Sequence, residues 1–355
     1  MIARQRRLCF LAMLPALVAI GLTGLSRTKR PAGVQLVAYE TARRVDVLID
    51  GQLFTSYIWP DSIKKPVLYP LRTAKGAIVT RGFPLDPRPG ERVDHPHQVG
   101  LWFNYGDVNG LDFWNNSDAI KPEERARFGS IRHAKIKRMK NGEREGDLEV
   151  ETEWLAPDGT PLLREETLFV FRSGPARRTI DRITRLTALD RRVVFNDNKE
   201  GVLGIRVARQ LEQPADKAEV FTDAAGKPTP APKLDNTGVT GRYRSSEGKT
   251  GDDVWGTRGR WAMLTGRIGE EDVTLAIFDH PKNPGHPTYW HARGYGLFAA
   301  NPLGQKVFSN GKLSLSFTLE PGQSTRFIYR ILILSGQTTP EEVESDYHGF
   351  VDQVK

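Results

Sequence analysis

The sequence predicts an all-β protein, built as a large antiparallel β-sandwich with one C-terminal helix. Short runs of β-branched and aromatic residues recur along the chain, and Gly, Pro, Asn and Asp residues separate them. No helical pattern alternates with these runs, which argues against a parallel βαβ sheet. One well-capped helical segment stands near the C-terminus.

Eleven runs carry the strand prediction because their residue types favour an extended backbone. In chain order they cover residues 34–39, 45–49, 53–58, 131–139, 148–155, 162–171, 179–189, 202–208, 273–278, 313–319 and 325–334. A further short strand is expected around Trp102 and Phe103.

The run 313–319 alternates most regularly. Leu313, Leu315, Phe317 and Leu319 would share one face, with Ser or Thr residues between them. A Pro-Gly turn follows at residues 321–322, so we predict a C-terminal hairpin with the run 325–334.

The helix is predicted from its start signals. Thr339 is a suitable N-cap, Pro340 suits the first turn, and Glu342 completes a capping box. The segment should continue to about Val351.

Residues 31–355 are expected to form a single domain without internal repeats. Residues 212–253 are rich in Lys, Pro, Gly, Thr and Asp and poor in large apolar side chains, which predicts a long loop. Long loops on a rigid sandwich commonly border the functional site.

Residues 1–30 have the composition of a targeting segment. Arg4, Arg6 and Arg7 precede an apolar stretch, which indicates a secretory signal peptide or an uncleaved N-terminal anchor. We therefore expect export to the periplasm or the cell exterior, with the inner membrane contacted only through this segment. The single cysteine, Cys9, lies here, so no disulfide or thiolate metal site is expected in residues 31–355.

The positive charge belongs mainly to the same segment. The chain carries a net charge of +8, but residues 1–30 hold six of its 51 Lys and Arg and none of its 43 acids, which leaves +2 for the remainder. Basic and aromatic residues are not interleaved along one face, so nucleic-acid binding is not expected.

Two segments, 95–114 and 279–301, contain five of the seven histidines together with Asp, Asn, Arg and aromatic residues. Buried polar groups are costly unless they are paired, so this density indicates a functional site.

Four blocks of sequence resemble the bacterial PmoA-like family: residues 95–114, 196–208, 247–261 and 278–304. Gln98 and Val99 depart from it, since a more basic His-Arg pair is expected there. The family is often labelled methane oxygenase, but methane monooxygenase has several spanning helices and this chain has at most one apolar span, so we reject methane oxidation. The resemblance implies an exported β-sandwich in bacteria that degrade carbohydrates, and a galactose-mutarotase-like supersandwich is one candidate architecture.

A divalent metal is one hypothesis for the histidines. His95 and His97 would point to the same side of an extended backbone. Further ligands could come from His280, His286, His291, Asp107 or Asp112. Pro96 and the lack of an HExxH-type spacing argue against it, and structural histidines are the alternative.

A sugar site uses the same segments differently, because aromatic faces pack on sugar C–H groups and polar side chains bond hydroxyls. The candidate aromatic residues are Trp102, Trp114, Tyr289 and Trp290, and the candidate polar residues are Asp107, Asn109, Asp112, Arg206 and Arg293.

Acid-base chemistry on a small-molecule sugar or an oligosaccharide would be epimerisation, β-elimination or hydrolysis. His97 and His291 are the candidates for proton transfer and should converge within hydrogen-bond distance. Glu200 is the carboxylate partner, and Lys199 or Arg206 would stabilise negative charge. The alternative is a noncatalytic carbohydrate-binding or scaffold protein with exposed aromatic residues and dispersed histidines.

Overall fold

A computed structural model describes residues 32–231 and 235–354. The predicted signal peptide or anchor at residues 1–30, with Cys9, lies outside this range. Within the described residues, no helix combines the length and hydrophobicity that a membrane span requires.

The described residues contain twenty strands. The first ten are β1 (Val34–Tyr39), β2 (Arg44–Ile49), β3 (Gln52–Ile58), β4 (Val67–Leu68), β5 (Leu101–Tyr105), β6 (Ser130–Lys140), β7 (Glu145–Leu155), β8 (Pro161–Ser173), β9 (Arg177–Ala188) and β10 (Val193–Phe195). The others are β11 (Gly201–Arg206), β12 (Glu219–Thr222), β13 (Pro228–Ala231), β14 (Arg242–Ser245), β15 (Trp261–Ile268), β16 (Glu271–Asp279), β17 (Tyr289–Arg293), β18 (Leu297–Asn301), β19 (Phe317–Leu319) and β20 (Ser324–Ser335).

Sixteen of these strands form two antiparallel sheets of eight strands each, and the other four form the two-stranded sheets β10-β19 and β12-β13. The first sheet has the order β1-β2-β3-β4-β5-β11-β18-β17, and the second has the order β14-β15-β16-β20-β9-β8-β7-β6. One hydrophobic core joins their inner faces, as in the contact between Phe103 of β5 and Phe327 of β20, whose rings are 5.4 Å apart. The predicted antiparallel β-sandwich is confirmed.

The predicted helix is also present, as α1 (Pro340–Gln353). The backbone N–H of Glu342 donates to Thr339 Oγ1 at 3.2 Å, and the N–H of Thr339 donates to the Glu342 carboxylate at 3.0 Å, which completes the capping box. The apolar side of α1, with Val343 and Phe350, packs on the second sheet. β20 is therefore buried on both faces, which explains its continuous apolar sequence.

The predicted C-terminal hairpin is wrong. Of the run 313–319, only β19 is extended, and it pairs with β10. β20 instead pairs with β16 and β9. Asp197 explains the difference, because its carboxylate accepts hydrogen bonds from the backbone N–H groups of Leu315 (2.8 Å) and Lys306 (2.9 Å) and so holds the segment in a loop.

The segment 212–253 is more ordered than the predicted long loop. It contains β12 and β13, which pair with each other, and β14, which forms one edge of the second sheet. β12 also forms a bridge with Arg92 through Phe221. The three strands have only four residues each, and few of their side chains are buried, so the apolar pattern is weak there.

An ion pair lies between the two sheets, in the interior. The Arg182 guanidinium donates to Glu165 at 2.5 Å, and their side chains are only 6% and 4% exposed. The same carboxylate accepts hydrogen bonds from Trp154 Nε1 (2.8 Å) and Thr167 Oγ1 (2.7 Å), while Arg182 lies 4.8 Å from the ring centre of Phe103. The charges are thus balanced within the core.

Candidate functional site

Strand register places several predicted site residues on one side of the first sheet. Trp102, Gly204, Ala299 and His291 follow one another across β5, β11, β18 and β17. Directly opposed residues of antiparallel strands share a face, and the residues next to them in sequence point into the core. We call this side, away from the core, the outer face.

The next row on the outer face consists of Arg206, Leu297 and Arg293. In the first row, Gly204 lets the Trp102 ring lie directly on the sheet, since a Cβ at this position would come within 2.5 Å of the ring. The glycine is therefore required by a close approach of side chain to backbone.

Tyr295, in the turn between β17 and β18, is the centre of the polar groups on this face. Its ring stacks on His95 with the ring centres 5.1 Å apart. The guanidinium groups of Arg206 and Arg293 lie 4.8 Å and 5.9 Å from the centre of the same ring. Burial raises the pKa of the Tyr295 phenol, so it stays protonated and can donate a hydrogen bond.

His95 forms a pair with the carboxylate of Asp94. The distance from His95 Nδ1 to Asp94 Oδ2 is 2.9 Å, and the imidazole is 41% exposed. Burial opposes ionisation of Asp94, but the hydrogen bond with His95 and the guanidinium groups of Arg206 and Arg81 hold the pKa of its carboxyl far below its usual range. A charged Asp94 fixes the proton on Nδ1 and leaves Nε2 free to exchange a proton with a ligand.

Hydrogen bonds from Arg81 hold the backbone around His95 in place. This buried guanidinium donates to the carbonyl groups of Asp94 (2.9 Å), His95 (3.0 Å) and Gln98 (3.1 Å). His95 itself has a φ of +42°, which is uncommon for a residue with a β-carbon. The position of His95 is thus imposed by its surroundings, as is typical of functional residues.

His291 and Glu200 form a second pair. His291 Nδ1 is 3.1 Å from the Lys199 carbonyl oxygen and 3.8 Å from Glu200 Oε2. The other Glu200 oxygen binds the Lys199 ammonium. Burial, with the charges of Lys199 and Arg293, lowers the pKa of His291 to about 3, so this imidazole is neutral at physiological pH.

The pKa of His291 predicts acid sensitivity. In the unfolded chain His291 protonates near its ordinary pKa of 6.5, whereas in the fold it stays neutral until about pH 3, so its contribution to stability is complete above pH 6.5 and is lost as the pH falls. At about 1.4 kcal/mol per pH unit, the loss between pH 6.5 and 4 should be about 3 kcal/mol. Urea unfolding at several pH values should show this decrease of the unfolding free energy with falling pH in the native protein, and a smaller decrease in His291→Gln.

The matched control is His348→Gln on α1, where the imidazole is 68% exposed. This variant should keep the full pH dependence. Equal slopes for His291→Gln and the native protein would contradict the assignment.

His97 is not hydrogen-bonded to His291 as expected: its Nε2 has no partner among the described residues, and His291 Nδ1 bonds the Lys199 carbonyl. The His97 ring contacts that of His95, with 5.6 Å between centres, and burial lowers its pKa well below the usual value. Its backbone carbonyl accepts a hydrogen bond from Lys65 Nζ at 2.7 Å. Lys65 was not singled out from the sequence, although burial lowers its pKa to about 7, against the opposing charge of Asp112.

The tryptophans do not form open sugar platforms. Trp102 and Trp114 pack edge to face with 5.1 Å between ring centres, and both are fully buried. Trp290 points into the core, where it contacts Phe298. Tyr289 is buried against Phe308. Apolar packing accounts for these four residues.

Three polar residues proposed to bind sugar bond the backbone instead: Asp107 and Asp112 close turns, and Asn109 ties its turn to β10. Asp107 accepts from the N–H of Gly110 at 2.9 Å, and Asp112 accepts from that of Trp114 at 2.8 Å. Asn109 accepts from the N–H of Val194 at 2.7 Å. Side chains of this kind commonly stabilise turns through local backbone bonds.

The predicted metal ligands are dispersed. His280 packs on Phe350 of α1, and His286 Nδ1 lies 2.8 Å from the buried carboxylate of Asp279. Among the described residues, no three His, Cys, Asp or Glu side chains are grouped as metal ligands. His95 and His97 therefore do not share a ligand set with His280 and His286.

Comparison with known sequences gives one match. A model of a family described as "Family of unknown function (DUF6807)" matches residues 44–348. No curated protein matches the chain.

Several solved structures are similar in fold. A GH36 alpha-galactosidase from Geobacillus stearothermophilus has a TM-score of 0.42 at 11% identity and covers 85% of this chain, which spans 41% of that enzyme. A galactose 1-epimerase from Lactobacillus acidophilus has a TM-score of 0.36 at 11% identity, with 86% of this chain and 100% of that one covered. A protein from Synechocystis has a TM-score of 0.31 at 11% identity, with 88% and 99% covered. At such values no activity or substrate passes from these proteins to this chain.

Proposed function

Because this chain belongs to the DUF6807 family, whose function is unknown, we propose a function from the site itself: a carbohydrate-active enzyme that binds a sugar on the outer face at Tyr295. Proton transfer would use His95 on one side and the Glu200–His291 pair on the other. The reaction class is epimerisation, elimination or hydrolysis, all of which require an acid and a base.

The single observation that carries this proposal is the arrangement around Tyr295. A partly exposed imidazole with a fixed proton, His95, stacks on the phenol. His291 lies two residues from Arg293 on the outer face of β17, and the Arg293 guanidinium is 5.9 Å from the centre of the Tyr295 ring. Two proton-carrying pairs thus lie on the same side of the first sheet, which supports acid-base chemistry on a bound ligand.

The residues have different roles in this proposal. His95 Nε2 would accept or donate the proton, and Glu200 would serve as the opposite partner beside a neutral His291. Lys199 and Arg293 would stabilise negative charge on the ligand, since both are exposed. Arg206 is fully buried and bonds Asp94 (2.6 Å) and Gln98 (2.5 Å), so it would position the site.

We further propose that residues 1–30 direct export to the periplasm or the cell exterior, with or without cleavage. The basic residues and the apolar stretch support this location. Sugar polymers and their fragments are encountered there, which agrees with a carbohydrate ligand.

A screen of common aldoses, uronic acids and their glycosides tests the proposal. Saturation-transfer NMR would report binding, and proton spectra in D₂O would report product formation or exchange of a sugar C–H proton. We expect binding and turnover of at least one sugar. Binding without any reaction would instead favour the noncatalytic alternative, and binding of none would refute the proposed function.

A further inference from the structure

A cavity of about 640 Å³ opens beside the proposed sugar site. We call it the flank cavity. Its wall includes Tyr295 and Arg293, which also belong to the outer face, and Trp255. The Arg293 guanidinium lies 5.5 Å from the centre of the Trp255 ring and 5.9 Å from that of Tyr295. The Arg293 side chain therefore stands between the flank cavity and the proposed sugar site.

The lining of the flank cavity suits a hydroxylated ligand. Its polar groups include the carboxylates of Asp216, Glu219 and Asp252, the Arg92 guanidinium, the Gln213 amide and the Lys217 ammonium. Groups of these kinds can bond neighbouring hydroxyls of a ligand, while the aromatic rings offer apolar surface to its C–H groups. Its volume lies in the range of about 300–1,000 Å³ that is usual for small-molecule sites.

The wall opposite the sheet is fixed by hydrogen bonds. The N–H of Gln213 donates to the Gly294 carbonyl at 2.9 Å, and its side chain donates to Asp252 at 2.6 Å. The N–H of Ala215 donates to Asn236 Oδ1 at 3.1 Å. The segment 213–215 therefore needs little reordering when a ligand enters, which favours binding.

We propose that the flank cavity binds the second sugar of a glycoside whose first sugar lies at Tyr295. The substrate is then a disaccharide or longer oligosaccharide, and Arg293 lies at the junction of its two sugars. This inference rests on the proposed function and names its substrate class.

Calorimetric titrations with glucose and galactose, and with cellobiose, maltose and lactose, provide the test. We expect a disaccharide to bind about tenfold more tightly than its monosaccharide, which is about 1.4 kcal/mol. Ala215→Trp fills the cavity from its wall and should remove this preference. Ala218→Trp is the matched control, because Ala218 is exposed on the same segment and does not line the cavity.

Asp216→Ala is a second, less disruptive variant, since Asp216 is exposed at the cavity. It should weaken disaccharide binding several-fold and leave monosaccharide binding unchanged. Equal affinity of the native protein for both sugar sizes, or a preference that survives Ala215→Trp, would overturn the inference alone. Absence of binding for every sugar would overturn the proposed function and this inference together.

Discussion

Replacement of His95 by glutamine is expected to lower turnover by about 10²- to 10⁴-fold, the usual contribution of a general acid or base. Glutamine retains a polar side chain that can bond Asp94, but it cannot exchange a proton near neutral pH. Sugar binding should change much less than turnover. Rates measured by NMR with the sugar that the screen identifies, together with its Kd, separate the two effects.

The matched control for this variant is again His348→Gln, which removes an exposed imidazole on α1, the helix that packs on the second sheet. It should retain native turnover. If His95→Gln keeps its activity, proton transfer at this position is refuted, and Glu200→Gln becomes the decisive variant for the other pair.

Replacement of Arg182 by methionine should lower the free energy of unfolding by about 3–5 kcal/mol, because it leaves the Glu165 carboxylate uncompensated between the sheets. Methionine fills much of the same space, so the loss would come mainly from charge. Urea unfolding at pH 7 measures it. Arg132→Met is the control, since Arg132 bonds Glu153 at 2.7 Å on the surface, where such pairs contribute at most about 1 kcal/mol.

A double variant tests the origin of this loss. Glu165→Gln removes the buried charge but keeps an oxygen for Trp154 Nε1 and Thr167 Oγ1. In combination with Arg182→Met it should recover part of the stability that Arg182→Met loses. A double variant as unstable as the sum of the two single variants would mean that packing, and not charge, dominates.

The sequence was informative about strands because residue types and alternation are local properties. The run at 34–39 matches β1, and the capping box at Thr339 is present as expected. The local sequence could not show that the hairpin predicted at residues 321–322 does not form. The residue that holds the preceding segment in a loop, Asp197, is more than one hundred residues away in the chain. The pairing of β19 with β10 depends on such distant contacts.

Site prediction had a similar limit. His95, His291, Glu200, Arg206 and Arg293 do meet near the outer face, as the histidine-rich segments suggested. Their grouping depends on register across four strands, and the same register turns Trp290 into the core. Side chains of a strand point alternately to its two faces, and only the complete sheet determines which face is buried.

Some residues were missed because their sequence signals are weak. Asp94 differs from other surface acids only by its position before His95, and Tyr295 stands between two glycines in a turn. Asp94 becomes part of the site through its hydrogen bonds with Arg81 and Arg206, which are distant from it in the sequence. The resemblance to the PmoA-like family stays a prediction.

The bonding of Arg81 has a consequence for how this site can diversify. Its contacts reach main-chain carbonyls of the loop as well as the Asp94 side chain, so the path of residues 94–98 is set largely by a residue outside the loop. Because these bonds end largely on main-chain atoms, a different side chain at position 95 would leave the path of residues 94–98 in place. Relatives with another residue at position 95 should therefore keep the same loop path while their chemistry diverges, whereas a change at position 81 should alter the loop itself.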